Sequence, residues 1–479
     1  MGPWVRCGAL FLLVGFLGSC AHAPRASLEP EGAQGLIHVW VTSADRKQRL
    51  TRTRDLKFGP ESSLPPTIDI NLQQRFQTMV GFGSAITDAS AWLLENKMSA
   101  AQRNALMQEL FGPPPGLDIS FVRLTIGASD FSLSHYSLDD TPAGETDPDL
   151  ARFSLAPIKD TVLPVVRDAR AINPALTVMA SPWSAPAWMK TTGSLIKGTL
   201  SPESYGPFAA YLVKYVNSMR AEGVPIFALT VQNEPHFEPK NYPGMRLDPA
   251  QRAKLVGQYL GPLLSKSQPE TKILEWDHNW DRPQEPLAVL NDPQAAEYLS
   301  GVAWHCYAGH VPAQTAVHAA HPDKDAYLTE CSGGDWGSES PLLRMTRDLI
   351  VGSTRAWSRG VLLWNLALDE AAGPHAGGCG NCRGLVTIDS ASGTVSRNDD
   401  YYVIAHASRF VRVGAVRVAS SETGAGLANV AFQNPDGSVA LILVNSVETP
   451  QRIRVRCRGS EFAYTLSARS IATLTWAYN

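Results

Sequence analysis

Two glutamates are notable for their positions. Glu234 sits in Thr230-Val-Gln-Asn-Glu-Pro235, and Glu330 ends Leu328-Thr-Glu330 before Cys331. In both stretches a short apolar run becomes a loop at the carboxylate. His305 and Tyr307 close a third run, Ala303-Trp-His305-Cys-Tyr307, and Trp364-Asn365 lies in a fourth. Each residue alone has an ordinary explanation: a loop Glu before Pro, a strand-end ion pair, a rim His, a core Trp. Gathered at the ends of several strands, they form a set that suits glycoside hydrolysis. That reaction uses one carboxyl as acid and base and a second as nucleophile, about 5–5.5 Å apart when configuration is retained.

A scaffold must bring those strand ends together. Eight apolar runs recur: Thr78–Gly83, Ile119–Gly127, Thr177–Ser184, Phe227–Glu234, Lys272–Trp280, Val302–Ala308, Ala326–Glu330 and Gly360–Leu368. Helical patterns such as Glu203–Glu222, Pro249–Lys266 and Glu339–Trp357 separate most of them. Eight such units over some 300 residues predict an α/β fold, a (β/α)8 TIM barrel with its site at the C-terminal strand ends. A doubly wound sheet is the alternative, but Gly81-Phe-Gly83-Ser-Ala-Ile86 lacks the third glycine of a dinucleotide fingerprint. After Asp400, short alternating runs at even spacing (416–419, 427–433, 439–445, 451–457, 461–466 and 470–476) predict an appended β-sandwich-like domain. At roughly 75 residues it is small, so strands near 37–42 and 67–71 should complete it, building it from both termini. The expected organisation is a lipoprotein signal peptide over 1–19, a linker over 20–36, N-terminal strands over 37–76, the barrel over 77–400 and the β-domain over 401–479.

The chain has 479 residues, 44% hydrophobic and 18% charged, with a formal net charge of -3. That composition excludes global disorder and argues against a nucleic-acid binder. The apolar stretch from Gly8 to Gly18 is too short for a resident membrane helix and reads as an export signal. Leu17-Gly-Ser-Cys20 resembles a lipobox, with Cys20 the lipid-attachment residue; Ala21-His-Ala23 offers an ordinary cleavage site instead. The lipobox is favoured because it explains Cys20. It predicts an exported, membrane-anchored lipoprotein, periplasmic or on the cell surface, whose only membrane contact is the anchor; the alternative is a secreted protein. Five cysteines then remain, an odd count that argues against a full disulfide framework. Cys379 and Cys382 form the only close pair and can bond in an oxidising compartment. A zinc site there lacks two ligands, so no metal is expected. Gly-x-Ser-x-Gly, His-Glu-x-x-His and P-loop patterns are absent, which weakens esterase, metalloprotease and NTPase readings.

From Gln77 onward the chain resembles glycoside hydrolase family 30, the glucosylceramidase-like enzymes. The resemblance is carried by Gly81-Phe-Gly-Ser-Ala-Ile-Thr-Asp88, Ala180-Ser-Pro-Trp183-Ser-Ala-Pro-Ala-Trp188-Met-Lys190, Gln232-Asn-Glu-Pro235, His305-Cys-Tyr307, Thr329-Glu-Cys331 and Leu363-Trp-Asn-Leu-Ala-Leu368. Tyr401–Phe410 and Gly414–Val418 match the junction between barrel and β-domain. The resemblance implies retention, with Glu234 as acid/base and Glu330 as nucleophile. It implies sugar contacts at Asp88, Trp183, Asn233 and Trp364, and places His305 and Tyr307 beside the nucleophile. Two carboxylates suffice for this chemistry, so no cofactor is expected. Ser84 departs from the family's usual Gly, and Gly377–Gly384 is more similar to bacterial and fungal members, some acting on β-glucans. The implied function is hydrolysis of β-D-glucosides, the substrate being a simple glucoside, glycolipid or β-glucan. Endo-β-1,6-glucanase and β-xylosidase activities are alternatives; a non-catalytic carbohydrate-binding lipoprotein is disfavoured by the presence of both carboxylates. Thr191–Ser201 and Gly373–Gly384 are expected to wall the aglycone side.

Overall fold

The computed structural model describes residues 1–2, 35–59, 67–334, 336, 340–424 and 426–478. Cys20, the signal from residue 3 onward and the linker through residue 34 lie outside the described residues. Eight parallel strands close into a barrel in chain order: Gly81–Ala85, Phe121–Ile126, Thr177–Pro182, Ala228–Thr230, Lys272–Asn279, Leu299–His305, Asp325–Glu330 and Ser358–Leu363. All eight expected runs contribute a strand. The first starts later than its apolar run, because Thr78 still belongs to the long β-domain strand Thr67–Thr78. Gly83 is required where the first two strands meet: a Cβ there would fall 2.0 Å from the Phe121 carbonyl oxygen.

Helices on the outside return the chain. Tyr205–Ala221 buries Phe208, Tyr211, Leu212, Tyr215, Val216 and Met219, the spacing of one helical face turned to the barrel. Capping boxes start two others: Ser99 with Gln102, and Asp248 with Gln251. The helix expected over 249–266 is interrupted by a wide π turn at Leu255–Leu260. A second π turn, Thr346–Gly352, interrupts the segment expected over 339–357. Helix Asp399–Ser408 crosses the domain boundary expected at 400/401 and packs on the first barrel strand, so it belongs to the barrel wall. Among the described residues no helix is long and apolar enough to cross a membrane.

The β-domain is one ten-stranded sheet to which both ends of the chain contribute. Strand Leu36–Ser43 pairs with Ser470–Trp476, and Thr67–Thr78 sits between Val416–Ser420 and Gln451–Cys457. The sheet folds over its own core, where Val39, Ile68, Leu443, Val455, Phe462 and Trp476 cluster.

His406, on the helix Asp399–Ser408, joins the two domains. Its ring nitrogens hydrogen-bond the Thr42 and Thr473 hydroxyls of the β-domain, each at 2.8 Å, with no exposed surface. Burial alone pushes its pKa down to about 3. An unfolded His protonates near 6.5, so between about 6.5 and 3 the unfolded chain binds a proton that the folded one refuses. The neutral ring's contribution is complete above that window and is lost as pH falls through it. His406→Gln should therefore flatten the fall in urea-unfolding free energy between pH 7.5 and 4.5, by up to about 3 kcal/mol. Equal slopes in both proteins would place the acid sensitivity elsewhere.

Candidate active site

The barrel interior is layered by strand periodicity. Phe121, Met179, Ala228, Leu274, Ala303, Tyr327 and Leu362, one from each of strands two to eight, form an apolar plug. Two residues further along, side chains return to the same face. Those positions are Arg123, Ser181, Thr230, His305, Thr329 and Trp364, on the C-terminal side of the plug. The fifth strand breaks the alternation. Trp276 and Asp277 adopt left-handed backbone (φ 76 and 55), and Asp277 takes the inward place three residues after Leu274.

Asp277 organises this polar layer. One carboxylate oxygen accepts from Arg123, Ser181 and Thr230, each at 2.7 Å; the other accepts from Thr329 at 2.7 Å and meets His305 Nε2 at 3.0 Å. Burial disfavours its charge, but Arg123 and His305 outweigh that and hold its pKa below the usual carboxylate range. Arg123, fully buried, also donates to Glu330 and to Asn233 Oδ1, the latter at 2.8 Å.

Glu330 thus receives Arg123 on one oxygen and the Tyr307 hydroxyl, at 2.9 Å, on the other. Glu234 also has left-handed backbone (φ 47), and its N–H donates to the Asp277 carbonyl at 3.0 Å. Strained backbone of this kind clusters at functional positions. Glu234 Oε1 lies 3.2 Å from His305 Nδ1 and 3.6 Å from His278 Nε2. With a carboxylate at each ring nitrogen, His305 is best served by donating from both. Burial opposes that charge, but Glu330, Asp277 and Glu234 push its pKa up to about 9. The same pairing holds Glu234 below its ordinary value despite burial. His278 is pushed down to about 4, chiefly by burial, and stays neutral. One ligand atom each from Glu234, His305 and Glu330 lies within 4.8 Å of the others. The two carboxylates are therefore near the separation used for double displacement. The set is chemically able to hold a cation, but protein partners already engage both His305 nitrogens and both Glu330 oxygens.

A cleft of about 640 Å³ opens above the pair. Glu234, Glu330, Tyr307 and Trp364 line it. Trp183 stacks behind Trp364, ring centres 5.1 Å apart, with the Arg123 guanidinium 4.8 Å from its ring. Asn233 is held by Arg123 at the same end. Of the expected sugar contacts Trp364 lines the cleft, whereas Trp183 and Asn233 are buried and outside its lining, as is Asp88. Asp88 is buried at the start of a helix, accepts from Tyr136 Oη at 2.8 Å, and is pushed up to about 6 by burial. Asp130 lines the cleft, its pKa raised well above normal by burial and by the charges of Glu330 and Glu234.

Of the two loops expected to wall the aglycone side of the cleft, Gly373–Gly384 lines it through Gly378, Cys379 and Cys382, while Thr191–Ser201 does not; Phe237–Tyr242 forms the rest of that wall. Thr191–Ser201 lies behind that wall and braces it. Lys190 Nζ donates to Ser184 Oγ and to the Leu195 and Gly244 carbonyls, each at 2.8 Å, and Gly198 N–H donates to Glu238 at 3.0 Å. Gly378 must be glycine, because its φ is +73 and a Cβ would meet Asp130 Cβ at 2.4 Å. Cys379 and Cys382 are disulfide-bonded. So are Cys306 and Cys331, a pair that cysteine counting did not reveal; Cys457 is the free cysteine among the described residues.

Arg123, Asp130, Asp277 and His278 were missed by the sequence reading. Three carried a signal, Arg123 as a lone charge within an apolar strand and Asp277 and His278 as ionisable groups near a strand end; Asp130 stands in the loop after strand two. Arg123→Met should cost about 3–5 kcal/mol of stability, because Asp277 and Glu330 stay buried and keep only His305 as a cation. Urea unfolding measures this, and a loss below about 1 kcal/mol would mean water replaces the guanidinium.

Comparison with known proteins agrees with this architecture. The Glycosyl hydrolase family 30 TIM-barrel domain matches residues 79–411, and that family's beta sandwich domain matches 414–474. The chain is 34% identical over 443 residues to the endo-1,6-beta-D-glucanase neg1 of Aspergillus fumigatus, covering 87% of this chain and 88% of that protein. It is 28% identical over 434 residues to the lysosomal acid glucosylceramidase of Mus musculus, covering 84% and 82%. Among solved structures, the endo-beta1,6-glucanase BT3312 superposes with a TM-score of 0.86 at 35% identity, covering 93% of this chain and 100% of that one. With its barrel and its sandwich both matched in order, the chain belongs to glycosyl hydrolase family 30 and is a glycoside hydrolase.

Proposed function

We propose that this enzyme is an exported, retaining β-glucanase that cleaves β-1,6-linked glucose. The observation that carries the reaction is the approach of the Glu234 and Glu330 carboxylates to within 4.8 Å at the barrel rim. Glu330 attacks the anomeric carbon, and the C1–O bond to the leaving sugar breaks as the bond to Glu330 forms. Glu234 protonates the departing oxygen with the proton it shares with His305. It then takes a proton from water as the glycosyl-enzyme is hydrolysed. Arg123 fixes the amide of Asn233, leaving its NH2 to donate to the 2-hydroxyl. Asp130 and Trp364, both lining the cleft, hold the sugar that is attacked.

The linkage reading rests on relatives named as endo-1,6-glucanases. It also rests on Glu238, Lys240 and Asn241 in the aglycone wall, polar groups that suit a hydroxylated sugar better than a ceramide tail. Side-by-side kcat/KM values on β-1,6-glucan oligosaccharides, aryl β-glucosides, aryl β-xylosides and glucosylceramide test it. The β-1,6-glucan should lead glucosylceramide by at least about tenfold, near 1.4 kcal/mol of transition-state preference. NMR of the first product should show the β-anomer. A lead for β-xylosides would sink the glucose assignment, and an α-anomer would sink retention. For the anchor, a fatty-acid analogue should label wild type and not Cys20→Ala; equal labelling would place the lipid elsewhere.

A further inference from the structure

The Cys306–Cys331 bridge joins two functional stretches. Cys306 stands between His305 and Tyr307, and Cys331 directly follows Glu330. Barrel strands six and seven pair in step from Gly301 with Asp325 to Trp304 with Leu328. The register then slips, so that His305 pairs with Glu330 and Thr329 is extra. Regular pairing ends where these side chains leave the strands. Tyr307 lies beyond that end, yet its hydroxyl must reach Glu330. Its N–H is tied to Asn279 of strand five, at 2.9 Å, rather than to strand seven. The disulfide, with Cα atoms 5.4 Å apart, is the covalent link between the Tyr307 and Glu330 segments.

We infer that the Cys306–Cys331 disulfide is a positioning clamp for Glu330, so that turnover depends on this bridge being oxidised. The inference rests on the proposed role of Glu330. The bridge acts through Tyr307, whose hydrogen bond to Glu330 holds only while the two strand ends stay in place. Cys331 is fully buried and Cys306 half-buried, so a dithiol reaches the bridge from the Cys306 side. Its thiolate attacks one sulfur and the S–S bond breaks. The second thiol of the reductant displaces the mixed disulfide, leaving two protein thiols and a cyclic disulfide, a transfer of two electrons and two protons. The barrel is closed by eight paired strands and filled by its plug without this bridge. Reduction should therefore loosen the site more than the fold. Displacing a catalytic group by about 1 Å costs on the order of 100-fold in rate.

The test uses a Cys379→Ser/Cys382→Ser background, whatever its own rate, so that dithiothreitol reduces one bridge alone. Thiol counting follows the reduction. On the β-glycoside that the oxidised enzyme turns over best, kcat should fall about 100-fold on reduction, with KM changed by less than about threefold, and should recover on reoxidation. Cys306→Ala/Cys331→Ala in the same background should start at the reduced rate and ignore dithiothreitol. In a Tyr307→Phe background the effect of reduction should shrink at least about fivefold, since the clamp and the hydroxyl act on the same carboxylate. A counted, fully reduced enzyme that keeps kcat within about twofold overturns the clamp. So does a reduction effect of unchanged size without the Tyr307 hydroxyl, which marks a structural staple only. Because the comparison is a ratio on whichever glycoside is hydrolysed, a wrong linkage assignment leaves this test intact.

Discussion

Glu330→Gln is expected to abolish turnover, lowering kcat by at least about 10⁴-fold, near 5.5 kcal/mol of transition-state stabilisation. The amide keeps the size of the side chain but cannot form the glycosyl ester. It also presents an NH2 to one of two donors, the Arg123 guanidinium or the Tyr307 hydroxyl. The variant should therefore lose some stability as well, which unfolding measurements would separate from the chemical defect. A fluorinated glucoside or a cyclitol epoxide should label wild type on the peptide containing Glu330. Label on Asp130 or Glu238, the carboxylates that line the cleft besides Glu234 and Glu330, would move the nucleophile.

Glu234→Gln should produce a different pattern. Substrates with poor leaving groups need the proton, and for them kcat/KM should fall about 10²–10⁴-fold. Aryl glucosides with acidic leaving groups should still form the intermediate, which then waits because no base activates water. Azide needs no base, so it should speed breakdown and yield the β-glucosyl azide. His305 gives the variant a further signature. Its raised pKa depends partly on the Glu234 carboxylate, so removing that charge should bring it down from about 9. NMR titration of the ring would show the drop. A uniform loss across leaving groups, without azide rescue, would count against Glu234 as the acid/base.

The two cysteine pairs show how the sequence reading worked and where it stopped. Cys379 and Cys382 are three residues apart, and local spacing was enough to propose their bond. Cys306 and Cys331 are 25 apart and looked unrelated. Yet each directly follows a singled-out strand-end residue, His305 or Glu330, and consecutive barrel strands lie side by side. It took the closed barrel, with strand six beside strand seven, to bring the two sulfurs together. Asp88 was placed by motif position alone: one of its carboxylate oxygens accepts from Tyr136, while Asp130, from the next strand's loop, was not singled out and lines the cleft.

By itself the sequence determined what depends on near neighbours. Apolar runs of strand length, separated by helical patterns and turn residues, specify eight strands and their order. A carboxylate at the end of a strand has one place to go in a barrel, the C-terminal rim, so Glu234 and Glu330 were legible. Tertiary structure decided what depends on distances across the barrel. Arg123 and Asp277 are 154 residues apart, and their ion pair exists only because strands two and five face the same interior. Alternation would have left Trp276 in the inward place; two left-handed residues give it to Asp277 instead. The aglycone wall was likewise set by packing, with Lys190 bracing a loop more than 50 residues away. Strand periodicity acts over a few residues, whereas a buried charge is stabilised by whichever opposite charge the closed fold brings within reach.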